Sequence, residues 1–132
     1  LARRIDAAAA PLAVIDLLAL SAVLTYGVIQ HNGVDYLTTA TGGWLLTLVP
    51  FLVGWAVVSP LIGAYSAGAA ESAKAAIPLA VRAWVPAAAI GFALRASPLF
   101  SGGFELVFGV VVFVAGGVAL VALRWLFFQL RG

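Results

Sequence analysis

The sequence predicts an all-α integral membrane protein, with four transmembrane helices packed as one up-down antiparallel bundle across residues 1–132. Three observations predict it. Hydrophobic residues make up 64% of the chain and charged residues 9%. A soluble domain carries roughly 25% charge, so the apolar surface here exceeds what a water-facing fold of this size can hide. Four apolar runs each approach the roughly 20 residues that cross about 30 Å of hydrocarbon. None of the runs alternates as a β-barrel strand does, and closed barrels are the other structure that satisfies its backbone in lipid.

The spans fall at 8–29, 43–64, 77–96 and 104–128. The first is too long for a cleavable signal peptide and is interrupted by Asp16, so it reads as a retained span. Pro11 stands in its first turn, where a missing N–H costs little. A polar segment, 30–42, holds the turn-prone run His31-Asn32-Gly33 and leads to the second span, which Pro50 should kink. Residues 65–76 carry Glu71 and Lys74 and lead to the third span, with Pro78 near its start and Pro86 inside it. A tight Pro/Gly/Ser turn at 97–103 joins the fourth. Connections this short make neighbouring helices antiparallel.

Charge orients the spans. With the N-terminus inside, Arg3, Arg4, Lys74, Arg82, Arg124 and Arg131 lie at or near the cytoplasmic face, and Arg95 alone lies near the outer one. Both termini are therefore expected in the cytoplasm, in a multi-pass protein of the plasma membrane. Tyr26, Tyr36, Trp44 and Phe100 fall at the outer interface and Tyr65, Trp84, Trp125, Phe127 and Phe128 at the inner one, as aromatic belts do. Trp55 lies deeper and reads as packing. Seven scattered basic residues make no nucleic-acid patch, and the absence of cysteine excludes disulfides and thiolate chemistry.

Small residues at helical spacing mark faces where backbones approach. Ala83, Ala87, Gly91 and Arg95 align in the third span, and Glu105, Gly109, Val112, Gly116 and Ala119 in the fourth. Ala9, Asp16, Val23 and Gly27 align in the first, and Gly43, Thr47, Pro50 and Gly54 in the second. These faces are expected inward, with Trp44, Phe51 and Trp55 on a neighbouring face.

Asp16 sits about 12 Å into the first span, where an acid costs ~2.5–3.5 kcal/mol, so it needs a partner or a task. Arg82 and Arg124 enter from the same side, and either can pair with it. The alternatives are a protonatable coupling carboxylate, an Asp16 bonded to backbone, or a lipid-headgroup site formed by the arginines. At the outer end Arg95 and Glu105 are placed to clasp across the last turn. His31 and Asp35 in the first outer loop form a minor metal or pH-sensing candidate; Asn32-Gly33 breaks the helix between them, and a metal needs more ligands. No phosphate cradle, zinc-protease motif, nucleophile elbow or Ser/His/Asp set occurs, so neither an enzyme nor a cofactor is expected.

The order Asp16, Tyr26-Gly27, His31, Pro50-Phe51-Leu52-Val53-Gly54-Trp55, Gly91, Arg95, Phe104, Val107, Arg124-Trp125 resembles the prokaryotic membrane family of domain of unknown function 3054. The run Pro60-Leu61-Ile62-Gly63-Ala64-Tyr65-Ser66 is similar to its haloarchaeal members. Where that family often has an arginine just before the histidine, this chain has Val28-Ile29-Gln30. The resemblance implies a four-span fold and no chemistry.

Two functions are weighed. The first is a non-catalytic membrane protein acting by association, as a homo-oligomer or a subunit of a larger assembly, with membrane lipids around it and no nucleic acid. The second is a small-solute or ion transporter or channel with Asp16 as its protonatable carboxylate. The small multidrug resistance proteins offer the analogy, with four spans and one acid in the first helix. Their aromatic motifs are absent, and the six-to-one charge bias disfavours a dual topology.

Overall fold

The structure, a computed structural model, describes residues 6–96 and 106–131. A 3₁₀ turn, Ala7–Ala9, leads into α1 (Ala10–Asn32), followed by α2 (Tyr36–Thr39), α3 (Thr41–Ile62), α4 (Ala73–Ala96) and α5 (Leu106–Arg131). The described residues form no strand. Among the described residues four stretches are long and apolar enough to cross a membrane: Ala7–Gln30, Thr41–Ile62, Ala73–Ala96 and Gly109–Leu130.

The ends of the helices follow local chemistry. The Asp6 carboxylate accepts from the Ala8 N–H at 2.8 Å and caps the first turn. Gly33, at φ 88°, stops α1 three residues later than expected, and α2 adds a further helical turn to what reads in the sequence as a polar loop. Gly63, at φ 89°, ends α3 in a Schellman turn: the Ala64 N–H donates to Ser59 O at 3.0 Å and the Gly63 N–H to Pro60 O at 3.2 Å. α4 begins at Ala73, four residues before the expected start. Pro78 therefore lies inside α4, where its missing N–H frees the carbonyl of Lys74 in the first turn.

Contacts between helices give their directions. Gly54 of α3 meets the Ala87 carbonyl of α4, while Gly91 meets the Phe51 ring, so numbers rise on one helix as they fall on the other. Trp84 against Gly116 and Ala76 against Arg124 set α4 antiparallel to α5 in the same way. α5 packs in turn on α1, and α1 on α3, closing the circuit.

Two expectations about the faces need correction. Phe51 and Trp55 are fully enclosed instead of lying beside the inward face, and Trp84 is buried in the core instead of at the interface. The reason is that a glycine leaves a notch, and an aromatic ring from the next helix fills it. Phe51 fills the notch at Gly91 and Trp84 the one at Gly116, with Trp84 Nε1 donating to Phe113 O at 2.8 Å. Gly54 is the position of true backbone approach. On α1 the predicted line drifts outward: Asp16 is buried, Val23 is half-buried, and nothing lies within 4 Å of a Cβ at Gly27. The buried row is instead Leu12, Asp16, Ala19, Leu20, Leu24 and Val28.

The loop 63–72 is not a simple surface turn. Its Ala69 and Ala70 pack with Ala9, Leu12 and Ala76, and the Asp6 N–H donates to Tyr65 O at 2.8 Å. The loop thus folds inward beside the start of α1 and the end of α5, where Phe127 and Phe128 pack on the same cluster.

Candidate functional site

The inward loop closes over an ion pair. Asp16 comes from the second turn of α1 and Arg124 from two turns before the end of α5, and both side chains are wholly enclosed. Arg124 Nη2 donates to Asp16 Oδ2 at 2.6 Å and Nε to Oδ1 at 3.1 Å, a two-pronged geometry that matches the planar fork to the carboxylate. Two further N–H groups of the guanidinium are also used. Nη1 reaches Ala76 O at the start of α4, at 2.7 Å, and Nη2 reaches Ala64 O, at 3.2 Å, in the turn that Gly63 creates.

Tyr65 completes the arrangement. Its hydroxyl donates to Asp16 Oδ2 at 2.7 Å and accepts from Trp55 Nε1 at 2.6 Å, so an α3 side chain joins the network. The Tyr65 ring stands edge-on to Trp55, with centroids 6.4 Å apart, and lies 5.6 Å from the Arg124 guanidinium carbon. Burial pushes the Tyr65 phenol above its ordinary value, and the Asp16 charge and hydrogen bond push the same way. It therefore stays a proton donor to the carboxylate. Chemically the site holds two opposite charges bonded to each other, to the Ala76 carbonyl of α4 and to the loop between α3 and α4, with Trp55 of α3 joined through Tyr65. That is an arrangement for fixing helices.

The structure brings Asp16 and Arg124 together and leaves Arg82 apart. Arg82 is exposed on α4, six residues beyond Ala76, which is ~9 Å deeper along the helix than the level of the pair. Arg95 is half-buried in the last turn of α4, and Glu105, its expected partner, lies outside the described residues. Asp35 is exposed beyond Gly33, and its carbonyl accepts from the hydroxyls of Thr38 and Thr39. The His31 side chain lies outside the described residues, though its backbone is part of α1. Among the described residues no three metal-ligating side chains cluster.

Trp55 and Tyr65 are the members that sequence reasoning missed. Tyr65 reads as an interfacial aromatic because it follows a span. The signal that could have found it is its place two residues after the helix-stopping Gly63, at the end of the membrane where Asp16 also lies.

Among curated proteins and solved structures nothing matches the chain. The model of one family, described as protein of unknown function DUF3054, matches residues 13–127, a stretch that includes Asp16, Trp55, Tyr65 and Arg124, and the chain belongs to that family.

Proposed function

We propose that this is a non-catalytic membrane protein that acts by association, as a homo-oligomer or as a subunit of a larger membrane assembly, with both termini in the cytoplasm of a cell whose plasma membrane it spans. One observation carries the reading. Asp16, the acid placed in a span, accepts from Arg124 on both oxygens and from Tyr65 on one, so it is held as an ion pair and not as an open proton-binding group. A coupling carboxylate must exchange its partner for a proton or a solute in each cycle, and this one is locked by donors from one neighbouring helix and a loop.

With Asp16 and Arg124 turned inward, what α5 offers its surroundings is an apolar lateral face that includes Val107, Val110, Val111, Val114 and Val118. The charge asymmetry supports the orientation. Purification in mild detergent followed by native mass spectrometry tests the reading. The expected species contains several copies or a stoichiometric second chain. A lone monomer whose reconstituted vesicles carry a solute flux that Asp16→Asn abolishes would replace association with transport.

A further inference from the structure

Arg82 is exposed on a lateral face at membrane depth, and among the described residues no hydrogen bond or ion pair is made to it. It is the tenth residue of α4, ~13 Å from the helix start by rise. A guanidinium placed there in lipid requires an anion or a route to the interface. The helix supplies the route. Helical side chains lean toward the N-terminal turn, which carries Arg82 back toward Pro78 and Lys74, both exposed on the same side of α4.

Beside this basic edge runs an apolar groove between α4 and α5, lined by Val81, Trp84, Val85, Phe113, Val114 and Val118. Its floor is Trp84, stacked on Phe113 with centroids 6.4 Å apart, and Val81 and Val85 form the wall adjoining Arg82. We infer that this face holds one anionic phospholipid, its phosphate on Arg82 and Lys74 and an acyl chain in the α4–α5 groove. Charge complementarity favours a lipid over a second copy of the chain. Of the described acids, Asp16 is consumed by Arg124, and Asp6, Asp35 and Glu71 lie outside the spans. Among the described residues no unpaired acid lies within a span, so a second copy offers Arg82 no carboxylate at its depth. A basic edge beside an inter-helix groove is the arrangement that recognises anionic headgroups.

The test is lipid titration of delipidated protein in mild detergent, read by native mass spectrometry, with phosphatidylglycerol, phosphatidylcholine and glycerol phosphate as probes. Phosphatidylglycerol should bind tighter than phosphatidylcholine, and Arg82→Gln should weaken it about fivefold, the effect of one basic residue near a membrane surface. Val85→Trp, which fills the groove without touching the charge, should weaken both lipids, and glycerol phosphate should not compete. Arg82 is exposed, so the variant keeps its fold, which the thermal midpoint of the lipid-free protein verifies. Equal phosphatidylglycerol binding by wild type and Arg82→Gln overturns the proposal. So does competition by glycerol phosphate, or loss of a protein partner with Arg82→Gln at constant bound lipid.

Discussion

Removing Asp16 while leaving Arg124 gives the sharpest test of the inward network. Asp16→Ala strands a guanidinium whose relative exposure is 0%, with two backbone carbonyls left to hold it. Breaking a buried pair on one side costs about 3–5 kcal/mol. The Tyr65 hydroxyl loses its acceptor as well, which adds about 1 kcal/mol. Against a total stability of ~5–15 kcal/mol, a loss of about 4–6 kcal/mol removes a large part of the folded population's margin. Unfolding with a denaturing detergent, followed by helical circular dichroism, measures it. Arg124→Met in the same background removes the stranded charge and should return part of the loss, giving a coupling of about 2–3 kcal/mol. The parallel cycle with Arg82, exposed and deeper along α4, should give less than ~0.5 kcal/mol. Equal coupling to both arginines, or none to Arg124, refutes the network as described.

Tyr65→Phe leaves Trp55 Nε1 and Asp16 each one partner short, and should cost about 1–3 kcal/mol in the same assay. Because the folded state raises the Tyr65 phenol above its ordinary 10.0, wild-type stability should be full below pH 10 and fall as pH rises beyond it. Tyr65→Phe should fall less over that window, as a pH series of unfolding midpoints would show. Gly54→Ala places a methyl against the Ala87 carbonyl and should destabilise by about 1–3 kcal/mol, whereas Gly27→Ala, with open space around it, should stay within ~0.5 kcal/mol. Cysteines introduced singly at Asn32 and Ser72, both exposed in a chain without cysteine, report the orientation. An impermeant reagent on intact cells should label the first and spare the second; the reverse would invert the topology.

The four spans were legible because lipid imposes length and apolarity on every crossing helix, and Asp16 and Arg124 because charge is rare there. The faces were legible only in part. In water, hydrophobicity sorts large apolar residues inward, but lipid is as apolar as a core, so Phe51 and Val53 look alike to composition while one is enclosed and the other exposed. What decides between them is whether a notch faces them, and the Gly91 notch belongs to another helix. The choice of Arg124 over Arg82 has the same origin. Both arginines enter from one side, and the phase of each helix against α1, a property of packing, selects the partner. Tyr65 needed knowledge that the loop 63–72 turns inward, which follows from the Gly63 cap together with the alanines that let it pack.

The partners of Asp16 are far apart in time as well as in sequence. Arg124 lies 108 residues after it and Tyr65 only 49. At ribosomal rates of ~5–20 residues per second, the acid waits about 5–20 s for its cation, and about half as long for the tyrosine hydroxyl. During biogenesis the first helix therefore carries a carboxylate into the membrane long before neutralisation arrives. Tyr65, itself held by Trp55, is the partner that can shelter it in the interval. The final helix then acts as the latch of assembly, because a chain halted before residue 124 still lacks the cation that Asp16 is built to meet.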